Sequence, residues 1–470
     1  METYAIYCGG KFVETANVLE VINPYSGEIF ATTFLAGAAE LEIAIIAAQA
    51  AKHKMKELPS WKKFEILRQI SDAITAHRDE LALVLCKESG KPIRYALGEI
   101  DRAAQTFLVA AEESKRSPKE YMSLDWTKSG EGKEGVVNYF PVGIVAGIAP
   151  FNFPLNLAVH KIAPAIAAGC PIILKPASST PLSTLELAKI IDKTDLPKGA
   201  VSILPMKRKD GNQLVTDERF ALLSFTGSPE IGWEMKKNSG KKKVVLELGG
   251  NAGVIVTKSA NLEEALKKCL VGGFAYSGQI CIHAQRIFVH HKLFEKFSQL
   301  FCEGASKLKP GNPADGTTEI SQMIDEANAK RVEAWVNEAV EAGAKILLGG
   351  KRDGAFYPAT VLTETNRTMK VNCEEVFGPV VVIEPYEHFE NAIAHINDTK
   401  FGLQAGIFTN DISEMDKAFK EIEAGGVILN DVPTFRVDHM PYGGIKDSGL
   451  GREGVKYAMM DMMEARILVK

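Results

Sequence analysis

Cys281 closes the stretch Gly272-Gly273-Phe274-Ala275-Tyr276-Ser277-Gly278-Gln279-Ile280-Cys281, whose small residues let backbone approach a ligand closely. A thiolate there is a candidate nucleophile. Of the other cysteines, Cys170 precedes an apolar run, while Cys86, Cys269 and Cys302 fall within helical patterns where packing accounts for them. Glu247 interrupts the apolar run Val244-Val245-Leu246-Glu247-Leu248, and a carboxylate at the end of a buried strand is costly unless paired or functional, so it is a candidate base. Asn152, in Phe151-Asn152-Phe153-Pro154, places an amide with two donors at another strand end. A purely structural hydrogen-bonding role stays open for both.

Two further segments suit a phosphorylated ligand. Phe225-Thr226-Gly227-Ser228-Pro229-Glu230-Ile231-Gly232 follows a strand and opens a helix, which leaves free N–H groups where a phosphate can sit. It is neither GxGxxG nor a P-loop, and a turn that simply needs glycine is the alternative. Lys175-Pro176-Ala177-Ser178 also follows a strand, and a lysine there suits a ribose or phosphate, unless it is merely solvated.

These residues need elements to hold them. Apolar residues at helical spacing predict helices over 37–57, 60–86 and 99–116, with Ser60 as a cap and Ser89-Gly90-Lys91-Pro92 as a stop. Short apolar runs follow at Gly143 to Ala149, Ile172 to Leu174, Val201 to Leu204, Ala221 to Phe225 and Val244 to Leu248. Their connections, roughly 15 to 25 residues, are too long for hairpins and predict a parallel α/β sheet with ligands beyond its carboxyl ends. A second α/β unit is expected from Asn251, with strands at Val254 to Val256, Arg286 to Val289, Val380 to Ile383, Gly406 to Phe408 and Gly426 to Asn430. Ala465 to Lys470 adds an isolated strand to something else.

The 470 residues carry 55 Lys+Arg against 59 Asp+Glu, so the basic excess of a nucleic-acid footprint is lacking and a small-molecule partner is expected. The uncharged stretch Val136 to Val159 is long enough to span a bilayer, but Pro141, Pro150, Pro154 and three asparagines make it strand, loop and helix start. Seven scattered cysteines form no disulfide framework, and the amino-terminal residues form no secretory signal, so the cytoplasm is expected.

Taken together, the asparagine, KPAS, FTGSPEIG, LELGG and GQIC segments, with Glu375-Val376-Phe377-Gly378-Pro379 and the glycine-rich run from Pro441 to Gly454, resemble the aldehyde dehydrogenase superfamily over nearly the whole chain and in its order. The resemblance implies a Rossmann-type cofactor domain (1–120 and 140–247), an α/β catalytic domain (248–441), and a small β oligomerisation extension from 121–139 and 442–470, making a homodimer or homotetramer. It implies that Cys281 attacks an aldehyde, that Asn152 and the cysteine's own N–H hold the oxyanion, and that Glu247 activates the water that hydrolyses a thioester. Lys175, grouped with the catalytic residues, would also meet the adenosine ribose, Gly227 and Ser228 the pyrophosphate, and Glu375 with Phe377 the nicotinamide end. No metal is required.

Many NAD-using members carry Glu where this chain has Ser178, so NADP is favoured, with NAD as the alternative; Lys207 and Arg208 lie on the next loop. The substrate wall implied by the resemblance comprises Leu157, His160, Ile280, Ile282, Arg436 and Tyr442. Arg436 either favours an anionic or hydroxylated aldehyde or is tied to Asp431 or Asp438. The look of the chain is similar to lactaldehyde dehydrogenase-like and phosphonoacetaldehyde dehydrogenase-like branches. A CoA-acylating enzyme and a non-catalytic structural protein are the competing readings; Glu247 opposes the first, and intact Cys281, Asn152 and Glu247 oppose the second.

Overall fold

In the computed structural model, which describes residues 2–470, the five expected runs are adjacent parallel strands. Their spatial order is Lys243–Glu247, Phe220–Thr226, Ile144–Ile148, Ile172–Lys175 and Val201–Ile203. Their residues are mostly buried, as strands covered by helices on both faces must be. The chain runs outward from Ile144–Ile148 in one direction and then returns to place Phe220–Thr226 on its other side. Strand order therefore reverses there, and the carboxyl ends of these two strands diverge into a crevice. Short antiparallel strands finish the sheet: Ile6–Cys8 and Lys11–Val13 at one edge, Gly449–Leu450 at the other.

The second α/β unit is a seven-stranded sheet in the order Lys345–Leu348, Thr360–Thr363, Val380–Tyr386, Arg286–His290, Gly253–Val256, Gln404–Phe408 and Gly426–Leu429. All neighbours are parallel except the first pair. The sequence reading missed Lys345–Leu348, an exposed antiparallel edge strand, and Thr360–Thr363, whose two apolar residues lie between threonines, so neither forms an apolar run that stands out. A third, antiparallel sheet pairs Met463–Val469 with Glu134–Pro141, and the latter with Lys119–Ser123.

The first expected helix is present as Ala38–Glu57. The second, expected over 60–86, is two helices, Ser60–Ala76 and Arg78–Ser89, separated at His77. Both bury an apolar face, so periodicity runs on through a one-residue break. Ser60 is the first helical residue and not its cap; extended Pro59 precedes it. The third helix, Ile93–Ser114, begins directly after Pro92, earlier than expected. Val136 to Val159 is strand, loop and helix start, and among the described residues no helix is long and apolar enough to cross a membrane.

Candidate active site

A cavity of about 490 Å³ opens at the crevice where strand order reverses, and Asn152, Gly227, Glu247, Cys281, Glu375 and Phe377 all line it. Asn152 lies beyond the end of Ile144–Ile148, just before the buried helix Pro154–Ala168. Its amide donates to the Gln279 carbonyl at 3.0 Å, which brings it to the cysteine loop and leaves its other N–H for a ligand.

The loop that carries Cys281 contains three successive left-handed residues, Tyr276 (φ 49°), Ser277 (φ 52°) and Gly278 (φ 67°). Non-glycine residues held this way cost about 1 to 3 kcal/mol each, so surrounding contacts must impose the turn. Tyr276 donates through its hydroxyl to Ser89 O (3.0 Å), and Ser277 to Ser321 O (2.6 Å). The Gln279 side chain accepts from Ile324 N–H at 2.9 Å. Gly278 is required for space as well, since a Cβ there would stand 2.1 Å from Gly378 O.

Cys281 is half-buried, and its sulfur lies 3.2 Å from the Tyr442 hydroxyl. Burial pushes its thiol up to about 11, an effect the Tyr442 hydrogen bond offsets only in part. Glu247 ends its strand with both carboxyl oxygens buried and without a hydrogen-bond partner. Burial first, and then the negative charge of Glu453, hold its carboxyl well above the usual range. A proton acceptor strengthened in this way, beside a thiol, is a constellation for covalent catalysis.

The remaining expected residues divide between the cavity and its surroundings. Glu375 is reached by the Gly250 N–H at 3.2 Å, and a Cβ on Gly249 would meet its carboxylate at 2.3 Å, so a glycine is needed there. Burial pushes Glu375 up to about 8. Phe377 packs edge-on against Phe151 at 5.8 Å. Lys175, on a neighbouring strand end, has an amine whose contact is Pro176 O at 3.4 Å, and burial depresses its pKa. Ser178 donates to Met206 O at 3.3 Å.

Leu157 lines the cavity, whereas Ile280 and Ile282 pack around Tyr276, Leu403 and Tyr442 behind it. His160 is fully buried and bonded to Asp438 at 2.8 Å. Arg436 is tied up, but to neither Asp431 nor Asp438: it donates to Glu453 at 2.8 Å and stacks its guanidinium 3.7 Å over the Tyr442 ring. Asp431 binds Lys268 instead, and Asp438 binds Arg102. Sequence reasoning missed this network, including Lys161, which reaches Glu453 (3.2 Å) and Thr226 (2.8 Å). Its signal was available: a single lysine in the largely apolar, fully buried helix Pro154–Ala168 is the same anomaly that marked Glu247. Arg331 and Trp335 also line the cavity and were missed.

The donor set fits a dinucleotide. Gly227 and Ser228 lead into the helix Pro229–Asn238, whose positive end faces the cavity and suits a pyrophosphate. Among the described residues Lys175 has no carboxylate partner, and Glu375 offers a carboxylate to hydroxyl groups at the far end.

A parallel sheet with a crevice at its strand reversal, facing a second α/β unit that presents a thiol, defines a nucleotide-dependent enzyme fold. The aldehyde dehydrogenase family model matches residues 12–468. A 3-sulfolactaldehyde dehydrogenase of Priestia aryabhattai is 43% identical over 100% of this chain and 98% of its own length. Aldehyde dehydrogenase 21 from Physcomitrella patens, solved in complex with the reaction product succinate, is 46% identical with a TM-score of 0.98, covering 100% of this chain and 98% of that one. Glyceraldehyde-3-phosphate dehydrogenase GapN from Methanocaldococcus jannaschii, complexed with NADP, is 40% identical with a TM-score of 0.92, covering 96% and 98%. The chain belongs to the aldehyde dehydrogenase family. It is an NAD(P)-dependent aldehyde dehydrogenase whose sequence is of the lactaldehyde-like kind.

Proposed function

We propose that this enzyme oxidises a short polar aldehyde, hydroxylated or anionic, to its carboxylate by hydrolysis of a thioester on Cys281. The observation that carries the reading is the unpartnered, buried carboxyl of Glu247 in the same cavity as Cys281 and the Asn152 amide. The Cys281 thiol gives its proton to water in the cavity, and its sulfur bonds the aldehyde carbon as the C=O π pair moves onto oxygen. The oxyanion so formed is held by Asn152 and the Cys281 N–H. The nicotinamide, when bound, supplies the acceptor for the aldehyde hydrogen as hydride. Glu247 then takes a proton from water, the water oxygen bonds the acyl carbon, the C–S bond breaks, and the carboxylate departs.

Substrate polarity is read from the charged residues behind Tyr442. Arg436 and Lys161 share the single carboxylate of Glu453, which leaves a net positive charge behind the cavity that favours an anion. The sulfonate and carboxylate in the names of two relatives agree with that. Leu157 lines the cavity, and His160, Ile280, Ile282 and Tyr442 back it and set its shape from behind. Gly227, Ser228, Lys175, Glu375 and Phe377 bind the cofactor, and Ser178 makes NADP at least as good as NAD. The first sheet with its helices, joined at one edge by Gly449–Leu450, forms the cofactor domain (1–120 and 140–247), 248–441 the catalytic domain, and 121–139 with the rest of 442–470 the bridging segments of a homodimer or homotetramer. All seven cysteines are free, which agrees with a cytoplasmic location.

The test is a panel of lactaldehyde, 3-sulfolactaldehyde, succinic semialdehyde and hexanal with NAD and NADP separately, with and without CoA. Carboxylate should form without CoA, fastest from the polar aldehydes, and Cys281→Ala should abolish it while NADP still binds. Preference for hexanal, or product only with CoA, would sink the reading.

A further inference from the structure

Behind the cleft lies an ion pair to which the chemistry above assigns no part. Lys91, in the turn that ends Arg78–Ser89, and Glu99, on Ile93–Ser114, form a salt bridge with both side chains fully buried. Replacing a buried ion pair with apolar side chains is often neutral or stabilising, so stability alone does not account for its presence.

Its contacts reach the two segments that carry Asn152 and Cys281 into the cavity. The Lys91 ammonium stands 3.7 Å from the centre of the Phe153 ring and 4.5 Å from that of Tyr276. Phe153 follows Asn152, whereas Tyr276 opens the left-handed turn that leads to Cys281. Glu99 accepts from Leu155 N–H (3.0 Å) and Asn156 N–H (3.1 Å), the first turn after Asn152. Tyr276 in turn donates to Ser89 O, and the Lys91 N–H donates to Ser89 Oγ at 3.3 Å. One cation thus draws together two aromatic faces from segments far apart in the chain, and its counter-ion fixes the helix start beside one of them.

We propose that the Lys91–Glu99 pair is a positioning device that sets the Asn152 amide against Cys281. It rests on the reading of Cys281 as nucleophile and Asn152 as oxyanion donor. Neither Lys91 nor Glu99 lines the cavity, so each acts through the loops it holds.

The test uses the full-length enzyme with both charges removed together, Lys91→Met with Glu99→Gln, so that no unpaired charge is left buried. Lys91→Gln with Glu99→Gln gives the same readouts if methionine packs poorly. Urea unfolding, NADP affinity, alkylation of Cys281 by iodoacetamide and the pre-steady-state burst of reduced cofactor are measured, alone and combined with Asn152→Ala. Stability, NADP affinity and alkylation should stay near wild type and KM should change by less than about threefold, while the burst rate falls about tenfold or more. Asn152→Ala should cost roughly a hundredfold to a thousandfold. Combined with the pair variant it should lose little more, because Lys91 and Glu99 act through that amide. A wild-type burst in the pair variant, or losses that multiply in the combination, overturns the proposal and leaves Asn152 in its role. A wild-type burst in Asn152→Ala removes the oxyanion reading itself.

Discussion

At the scale of single residues, Glu247 is under the greatest constraint. Its raised pKa means that the native state holds a proton more tightly than the unfolded chain, where glutamate titrates near about 4.3. Stability must therefore fall as pH rises through and above that value. Glu88 and Glu375, both pushed up to about 8 by burial, act in the same direction. Carboxylates held low, such as Asp438, have already ionised by pH 5 and add no slope above it. The buried histidines His160 and His283, whose pKa burial lowers, act oppositely below about pH 6.5. Urea midpoints should therefore decline from about pH 7 to 9, and Glu247→Gln should make the decline shallower, whereas an unchanged slope would contradict the assignment. The same variant should show one burst of reduced cofactor without steady turnover, because an amide cannot take the proton from water. Ser178→Glu should weaken NADP by about 1 to 3 kcal/mol, roughly fivefold to a hundredfold, while leaving NAD binding near wild type. If the wild type already prefers NAD strongly, another group sets cofactor choice.

At the scale of elements, the left-handed turn before Cys281 and the Phe377-Gly378 loop interlock. Phe377 itself has a positive φ of 47°, and Gly278 packs against the Gly378 carbonyl. Gly278→Ala should force the two loops apart, with a loss of about 1 to 3 kcal/mol in unfolding free energy and a slower burst. Both are readable from one preparation by denaturation and stopped flow. Wild-type values for both would show that the turn relaxes without moving Cys281. Glu453 is the corresponding constraint on the other wall: burial opposes its charge, but Lys161 and Arg436 hold its carboxyl well below the usual range. Its persistent negative charge adds to burial, the larger cause, in keeping the proton affinity of Glu247 high.

At the scale of the whole molecule, the three-stranded sheet built from Lys119–Ser123, Glu134–Pro141 and Met463–Val469 stands apart from the two α/β units. It leaves Tyr121, Ile467, Leu468 and Val469 exposed, with Trp126 90% exposed beside it. Apolar edge strands of this kind pair with other chains. Light scattering at micromolar concentration should therefore give a dimeric or tetrameric mass, and a monomer would contradict the assignment.

The strands of the first sheet and the residues at their ends were legible in the sequence because each is a local signal. A parallel strand buried on both faces must be a short apolar run, and the glycine, proline or odd polar residue that follows it marks the ligand edge. Glu247 and Asn152 stood out for that reason, Cys281 for the run of small residues that leads to it, and the structure brings the three to one cavity. The break at His77 was hidden because two helices buried on the same core continue one periodicity. The partner of Arg436 was hidden for a different reason. Arg436 and Glu453 are 17 residues apart, whereas Lys161 reaches Glu453 across 292 positions and His160 reaches Asp438 across 278. No spacing rule links such positions. Pairing inside a low-dielectric core is decided by which charges the packed helices leave next to one another once water is gone, and only the tertiary structure specifies that.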